Sequence, residues 1–208
     1  IQSTRECLFA CVKETRTRVV CRIIILVTKE FVFDLLCLNE VLTKTVCDIL
    51  CQRVSANLNI ADKEGRSPLY NACLKGHEAV VSMLLGHKDI QVNKANSNMD
   101  TALMIASNEE HPGVVRLLLN REDIDVNAQN SDKYTALMCG CDKGNVEIVR
   151  CLLDHDETDI NLEDSNQETA LIWACDKDQP KVISLLLQRE ELDRSASNLE
   201  SIMHVVMK

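Results

Sequence analysis

Asp123, Asp125 and Asn127 stand at alternate positions, the spacing of the first three oxygen ligands of a calcium loop. Such a loop needs Gly at its sixth position, to turn, and Glu at its twelfth, to close on the cation with two oxygens. Ala128 and Tyr134 occupy those positions here, so the loop would not close. Cys139-x-Cys141 and Cys47-x-x-x-Cys51 offer thiolates. Structural zinc, however, takes four Cys or His ligands in paired spacing. The five His residues, at 77, 87, 111, 155 and 204, join no Ser or Cys in a nucleophile–base arrangement. No glycine-rich loop is present to cradle phosphate. Metal, cofactor and catalytic roles are therefore not expected of this chain.

A regular frame accounts for most of these residues. One phrase recurs with a step of 34 residues, beginning at Ser67 (SPLYNA), Thr101 (TALMIA), Thr135 (TALMCG) and Thr169 (TALIWA). Asn59, Asn93, Asn127 and Asn161 keep the same step. A period of this length marks stacked supersecondary units, none of which can bury enough apolar surface alone. The Asp123–Asn127 segment then becomes the return between two units. Cys73, Cys141 and Cys175 fall on one repeat position, with Ser107 in the other copy, and read as small core residues.

Each unit opens with Asp62, Asn96, Asn130 or Asp164, followed two residues on by Glu64, Asn98, Asp132 or Asn166. Asx side chains satisfy turn backbone, so a tight hairpin-like turn is expected. Gly65 supplies a flexible turn residue in one copy; Met99, Lys133 and Gln167 replace it elsewhere. The following Ser or Thr reads as a helix N-cap. Leu69, Leu103, Leu137 and Leu171, with Ala72, Ala106, Gly140 and Ala174 three residues on, line one face of a short helix. The pairs Val80-Val81 and Leu84-Leu85, with their equivalents, give a second helix a broad apolar stripe. Pro112 and Pro180 fit its first turn. The Asn ladder reads as side chains bonded to neighbouring turn backbone.

A turn, a Thr-Ala-Leu-x-x-Ala helix, a Gly-Asn or Gly-His link, a Val-Val-x-x-Leu-Leu helix and an Asp-Val-Asn return together resemble ankyrin repeats. The resemblance implies an all-α solenoid of stacked helix-turn-helix pairs joined by hairpin-like connections. Four repeats are assigned to 59–192 and a degenerate capping repeat to 27–58, where Leu35, Leu38, Val46 and Leu50 keep the register. A truncated repeat is assigned to 193–208 and a flexible or artefactual leader to 1–26. The chain departs from the family pattern in lacking the usual His of Thr-Pro-Leu-His and most of the turn glycines.

The resemblance also implies a function: binding of another protein through a concave face built from turn tips and first helices. Carried onto this sequence, the turn positions are Lys63, Glu64, Arg66, Ser97, Asn98, Asp100, Ser131, Asp132, Tyr134, Ser165, Asn166 and Glu168. The helical ones are Lys75, Asn108, Glu109, Asp142, Lys143, Asp176 and Lys177. Tyr134 is the expected anchor. Trp173, the single Trp, stands at a position occupied elsewhere by Asn71, Ile105 and Cys139, and reads either as core or as part of that face. Asn127 and Asn161, each eight residues after a Leu, resemble substrates of asparaginyl hydroxylation. The alternative role is a non-catalytic targeting arm of a larger enzyme or channel.

Charge narrows the partner. Residues 1–58 hold 8 Lys/Arg and 6 Asp/Glu, whereas 59–208 hold 15 and 26, a net −11. The repeats should repel nucleic acid and anionic membranes and mildly favour a basic protein. The apolar run Val19–Val27 is interrupted by Arg22 and too short to span a bilayer. Equivalent positions in a helical stack lie roughly 10 Å apart, too far for the aligned Cys to form disulfides. A reducing compartment is therefore expected, the cytoplasm first and the nucleus as an alternative. A monomer is expected, although the sequence leaves the oligomeric state open. The chain reads as part of a longer product.

Overall fold

The computed structural model describes residues 58–193. The leader at 1–26, the degenerate repeat at 27–58 apart from Leu58, and the partial repeat at 193–208 apart from Asp193 lie outside the described residues. So do Cys47, Cys51 and His204.

Among the described residues the chain forms four helix pairs. These are α1 (Pro68–Leu74) with α2 (Glu78–Leu85), α3 (Ala102–Asn108) with α4 (Pro112–Leu119), α5 (Ala136–Lys143) with α6 (Val146–Leu153), and α7 (Ala170–Asp176) with α8 (Pro180–Leu187). The odd-numbered helices pack in one row, α1 on α3 on α5 on α7. The even-numbered helices form a second row behind them.

Local chemistry starts and stops each helix. Ser67, Thr101 and Thr135 have extended backbones, and their hydroxyls accept the N–H three residues on, from Tyr70, Met104 and Met138. Thr169 departs from the expected cap: its hydroxyl is buried without a hydrogen-bond partner. Left-handed residues follow each first helix, at Gly76, Glu110, Gly144 and Asp178, and reverse the chain. Pro112 and Pro180 open α4 and α8, where no backbone donor is required.

The core lies between the two rows. Leu69, Leu103, Leu137 and Leu171 and the small residues Ala72, Ala106 and Ala174 are buried. Gly140 takes the fourth small position. A Cβ there would come within 3.2 Å of methyl carbons of Ile148 and Val149, so the missing side chain lets α6 approach α5. Val80, Val81, Leu84 and Leu85 are all buried, as are their α6 equivalents Ile148, Val149, Leu152 and Leu153. The stripe is less covered in α8, where Leu187 is 47% exposed. Cys73, Cys141 and Ser107 are buried as expected, but Cys175 in the last described layer is only half-buried.

Two hydrogen-bond ladders run along the stack. At the turn tips, Ser97 N donates to Glu64 O at 2.9 Å, Ser131 N to Asn98 O at 3.0 Å and Ser165 N to Asp132 O at 2.9 Å. At the return segments each ladder Asn reaches past one helix pair and clasps the next return segment. Asn59, Asn93, Asn127 and Asn161 donate to the carbonyls of Asp89, Asp123, Glu157 and Glu191, at 2.6–2.7 Å. Their side-chain oxygens accept from the amides of Gln91, Asp125, Asp159 and Asp193, at 2.7–2.8 Å.

Candidate functional site

The turns are built alike in all four copies. Oδ1 of Asp62, Asn96, Asn130 or Asp164 accepts the backbone N–H groups two and four residues on, at 2.8–3.0 Å. The backbone closes as a hairpin, with Asp62 N donating to Arg66 O at 3.1 Å and the other copies matching it. The fourth turn residue is left-handed every time: Gly65, Met99, Lys133 and Gln167 have φ of 76°, 66°, 59° and 64°. The loss of Gly therefore leaves the geometry intact, held by the Asx side chain and the neighbouring tip.

This scaffold carries the positions expected to meet a partner. Lys63, Glu64, Ser97, Asn98, Ser131, Asp132, Ser165 and Asn166 are exposed at the tips. Lys75, Glu109, Lys143, Asp176 and Lys177 are exposed at the ends of the first helices or just beyond them, with Asn108 half-buried beside Glu109. Arg66 is half-buried and held by Asp62 and Glu64, each at 2.9 Å. Glu168 is half-buried at the last tip.

Asp100, one of the expected contact positions, is tied into the frame. Its two oxygens accept from Asn96 Nδ2 at 3.1 Å and from Asn130 Nδ2, in the next turn, at 2.8 Å. Asn96 Nδ2 also lies 3.2 Å from the Tyr70 hydroxyl, whose pKa burial, aided by Asp100, pushes up to about 12.

The third and fourth repeats bring two aromatic rings and several charged side chains together. The rings of Tyr134 and Trp173 meet edge-to-face with centroids 4.9 Å apart. Trp173 Nε1 donates to Asp164 Oδ2 at 3.1 Å, and the Lys177 ammonium sits 5.4 Å from the ring centroid. Lys177 also bridges to Asp142 at 3.5 Å and Asp176 at 3.7 Å, while Lys143 reaches Asp142 at 3.5 Å. Both aromatic residues are half-buried, so Trp173 is neither pure core filler nor a free anchor. Burial, with the Asp142 charge adding to it, raises the Tyr134 phenol well above its ordinary value and keeps it a neutral donor.

Sequence reasoning missed Asp164 as the support of Trp173. The signal was available in the spacing, because a carboxylate in the turn ladder stands nine residues before the indole.

Groups that suggested chemistry are committed to structure. Asp123 is paired with Arg121, Asp125 Oδ1 accepts from Asn127 N, and the Asn127 amide bridges to the next return segment. Burial raises the thiols of Cys73 and Cys141 and pushes Cys139 up to about 12, so all three are neutral thiols at neutral pH. His111 lies against Gly76, where a Cβ would come within 2.7 Å of its ring. Among the described residues no group of three His, Cys, Asp or Glu could hold a metal ion, and no helix is long and apolar enough to cross a membrane.

A family model of ankyrin repeats in three copies matches residues 33–130 and 103–196. No curated protein matches the chain.

Proposed function

The chain belongs to the ankyrin-repeat family, and from that premise we propose that it is a scaffold that binds a partner protein through the concave face of its stack. Repeats of this family are generally protein-interaction modules, and the fold is typically non-catalytic. The observation that carries the proposal is the cluster of Tyr134, Trp173 and Lys177. It spans two repeats and stays half open to solvent, and its two aromatic residues stand at positions where all four copies differ. Half-exposed aromatic residues on a rigid support have the character of interface anchors. The net charge of −11 over 59–208 favours a basic partner. Cytoplasmic residence belongs to the same proposal, supported by free Cys at 73, 139, 141, 151 and 175.

The test compares affinity capture by the wild-type chain and by a variant carrying Glu64→Lys, Asp132→Lys and Asp142→Lys. A protein captured by the first and lost by the second supports the reading. Equal capture removes the concave face from it.

The proposal extends to hydroxylation of Asn127 and Asn161. Both amides are held in the return-segment ladder, so a modifying enzyme must first open it. A one-oxygen mass increment in protein from oxygenated cells is the expected signature; its absence from intact-mass spectra removes this part.

A further inference from the structure

The second helices meet one another in a fixed register. Arg116 of α4 pairs with Glu147 of α6, 31 residues on, across the boundary between two repeats. One period later the same register sets Arg150 of α6 against Lys181 of α8. Two cations therefore face each other where the preceding boundary has an ion pair. Neither makes an ion pair among the described residues. Both are exposed, and both line one groove of about 390 Å³ whose walls are Val146, Pro180 and Leu185, with Ser184 beside them.

Juxtaposed like charges repel, and an anion placed between them relieves the repulsion. The guanidinium fork matches a carboxylate with two parallel hydrogen bonds, and the ammonium adds a compact point charge. The apolar walls between the cations suit a hydrocarbon side chain. A volume this close to the roughly 300 Å³ lower bound of ligand pockets suits one or two side chains rather than a cofactor. A polyanion is disfavoured, because residues 59–208 carry a net −11.

We infer that the groove between α6 and α8 is a docking site for a partner segment presenting one Asp or Glu carboxylate beside an apolar side chain. The site lies on the second-helix row. It does not depend on the face that carries Tyr134.

The test is selection of a random peptide library on the full 208-residue chain, followed by titration of a synthetic selected peptide. Lys181→Glu is the decisive variant. It restores the charge pattern of Arg116 and Glu147, gives Arg150 an internal partner, and suits the first turn of α8, so it should fold. Selected peptides should carry an acidic residue next to Leu, Ile, Val or Phe. Affinity should fall at least about tenfold with Lys181→Glu, and equally when the peptide's acid is replaced by its amide. Tyr134→Ala should leave it unchanged. Peptides without an acid, or binding that survives Lys181→Glu, overturn the inference. Binding lost in Tyr134→Ala but not in Lys181→Glu reassigns the peptides to the other face and also overturns it. A phosphoserine peptide that binds more tightly than the carboxylate peptide overturns the carboxylate assignment.

Discussion

The side-chain carbonyl of Asn127 accepts the backbone N–H of Asp159 at 2.8 Å, joining two successive return segments. The same amide donates to Glu157 O at 2.6 Å, so one side chain satisfies two backbone groups of the next return segment. Asn127→Ala should cost about 1–3 kcal/mol, the range for two modest hydrogen bonds lost together. Urea denaturation checks the size, and amide exchange at Asp159 checks the location. An unchanged midpoint would remove the ladder as a source of stability.

Met99 and Lys133 hold φ of 66° and 59°. Left-handed backbone costs a residue with a Cβ roughly 1–2 kcal/mol, part of which Gly returns as unfolded-state entropy. Met99→Gly and Lys133→Gly should each stabilise the chain by about 0.5–1 kcal/mol. Met99 is 54% exposed and has little packing to lose. Thermal unfolding of the single and double variants provides the check, and a lowered midpoint would show that side-chain contacts outweigh the backbone strain.

Thr135 and Thr169 occupy one repeat position but should respond oppositely to the same change. The Thr135 hydroxyl accepts Met138 N–H at 3.2 Å, so Thr135→Val should cost about 1 kcal/mol. The buried Thr169 hydroxyl has no partner, so Thr169→Val should be neutral or stabilising. Equal losses in both would sink the distinction.

That contrast marks where the sequence was legible. Hydroxyl, apolar run and 34-residue step were enough to place the caps, the turns and the core, because each is a local preference repeated four times. The orphaned hydroxyl of Thr169 was not legible, since it turns on the geometry of a single buried contact. The left-handed conformations of Met99, Lys133 and Gln167 were likewise hidden: Asx hydrogen bonds and the neighbouring tip hold the turn without the glycine that would have signalled it. At the candidate face, the variable positions could be named individually. The pairing of Tyr134 with Trp173 could not, because it joins residues 39 apart in the sequence whose contact depends on the stacking of α5 and α7.

Asp62 gives the first turn a dependence on pH. Burial raises its carboxyl, but the Arg66 backbone N–H, guanidinium hydrogen bond and charge outweigh burial and hold it below the usual range. A depressed folded pKa contributes stability in full above the ordinary Asp value of about 3.9 and loses it as pH falls through the folded value. Asp62→Asn should therefore flatten the acid limb of stability below about pH 4. Urea midpoints across that limb, for wild type and variant, would differ in slope; parallel curves would contradict the assignment.

Trp173 is the single Trp, and its indole lies among Tyr134, Asp164 and Lys177. Its emission should therefore report on the proposed concave face. Lys177→Ala should alter the emission without unfolding the chain, because Lys177 is exposed. A partner bound at that face should alter it as well. A partner that binds with no change in emission would place its contacts elsewhere.

The Asn clasps and the turn-tip bonds cross every described boundary in parallel, on two different segments of the repeat. A load applied along the stack meets both at once, and neither can be unzipped without the other. Repeats should consequently detach whole, each paying out 34 residues, roughly 115 Å of extended chain. In a single-molecule pulling experiment the protein would lengthen as a staircase of equal treads, a ratchet whose step was written into the sequence by its period.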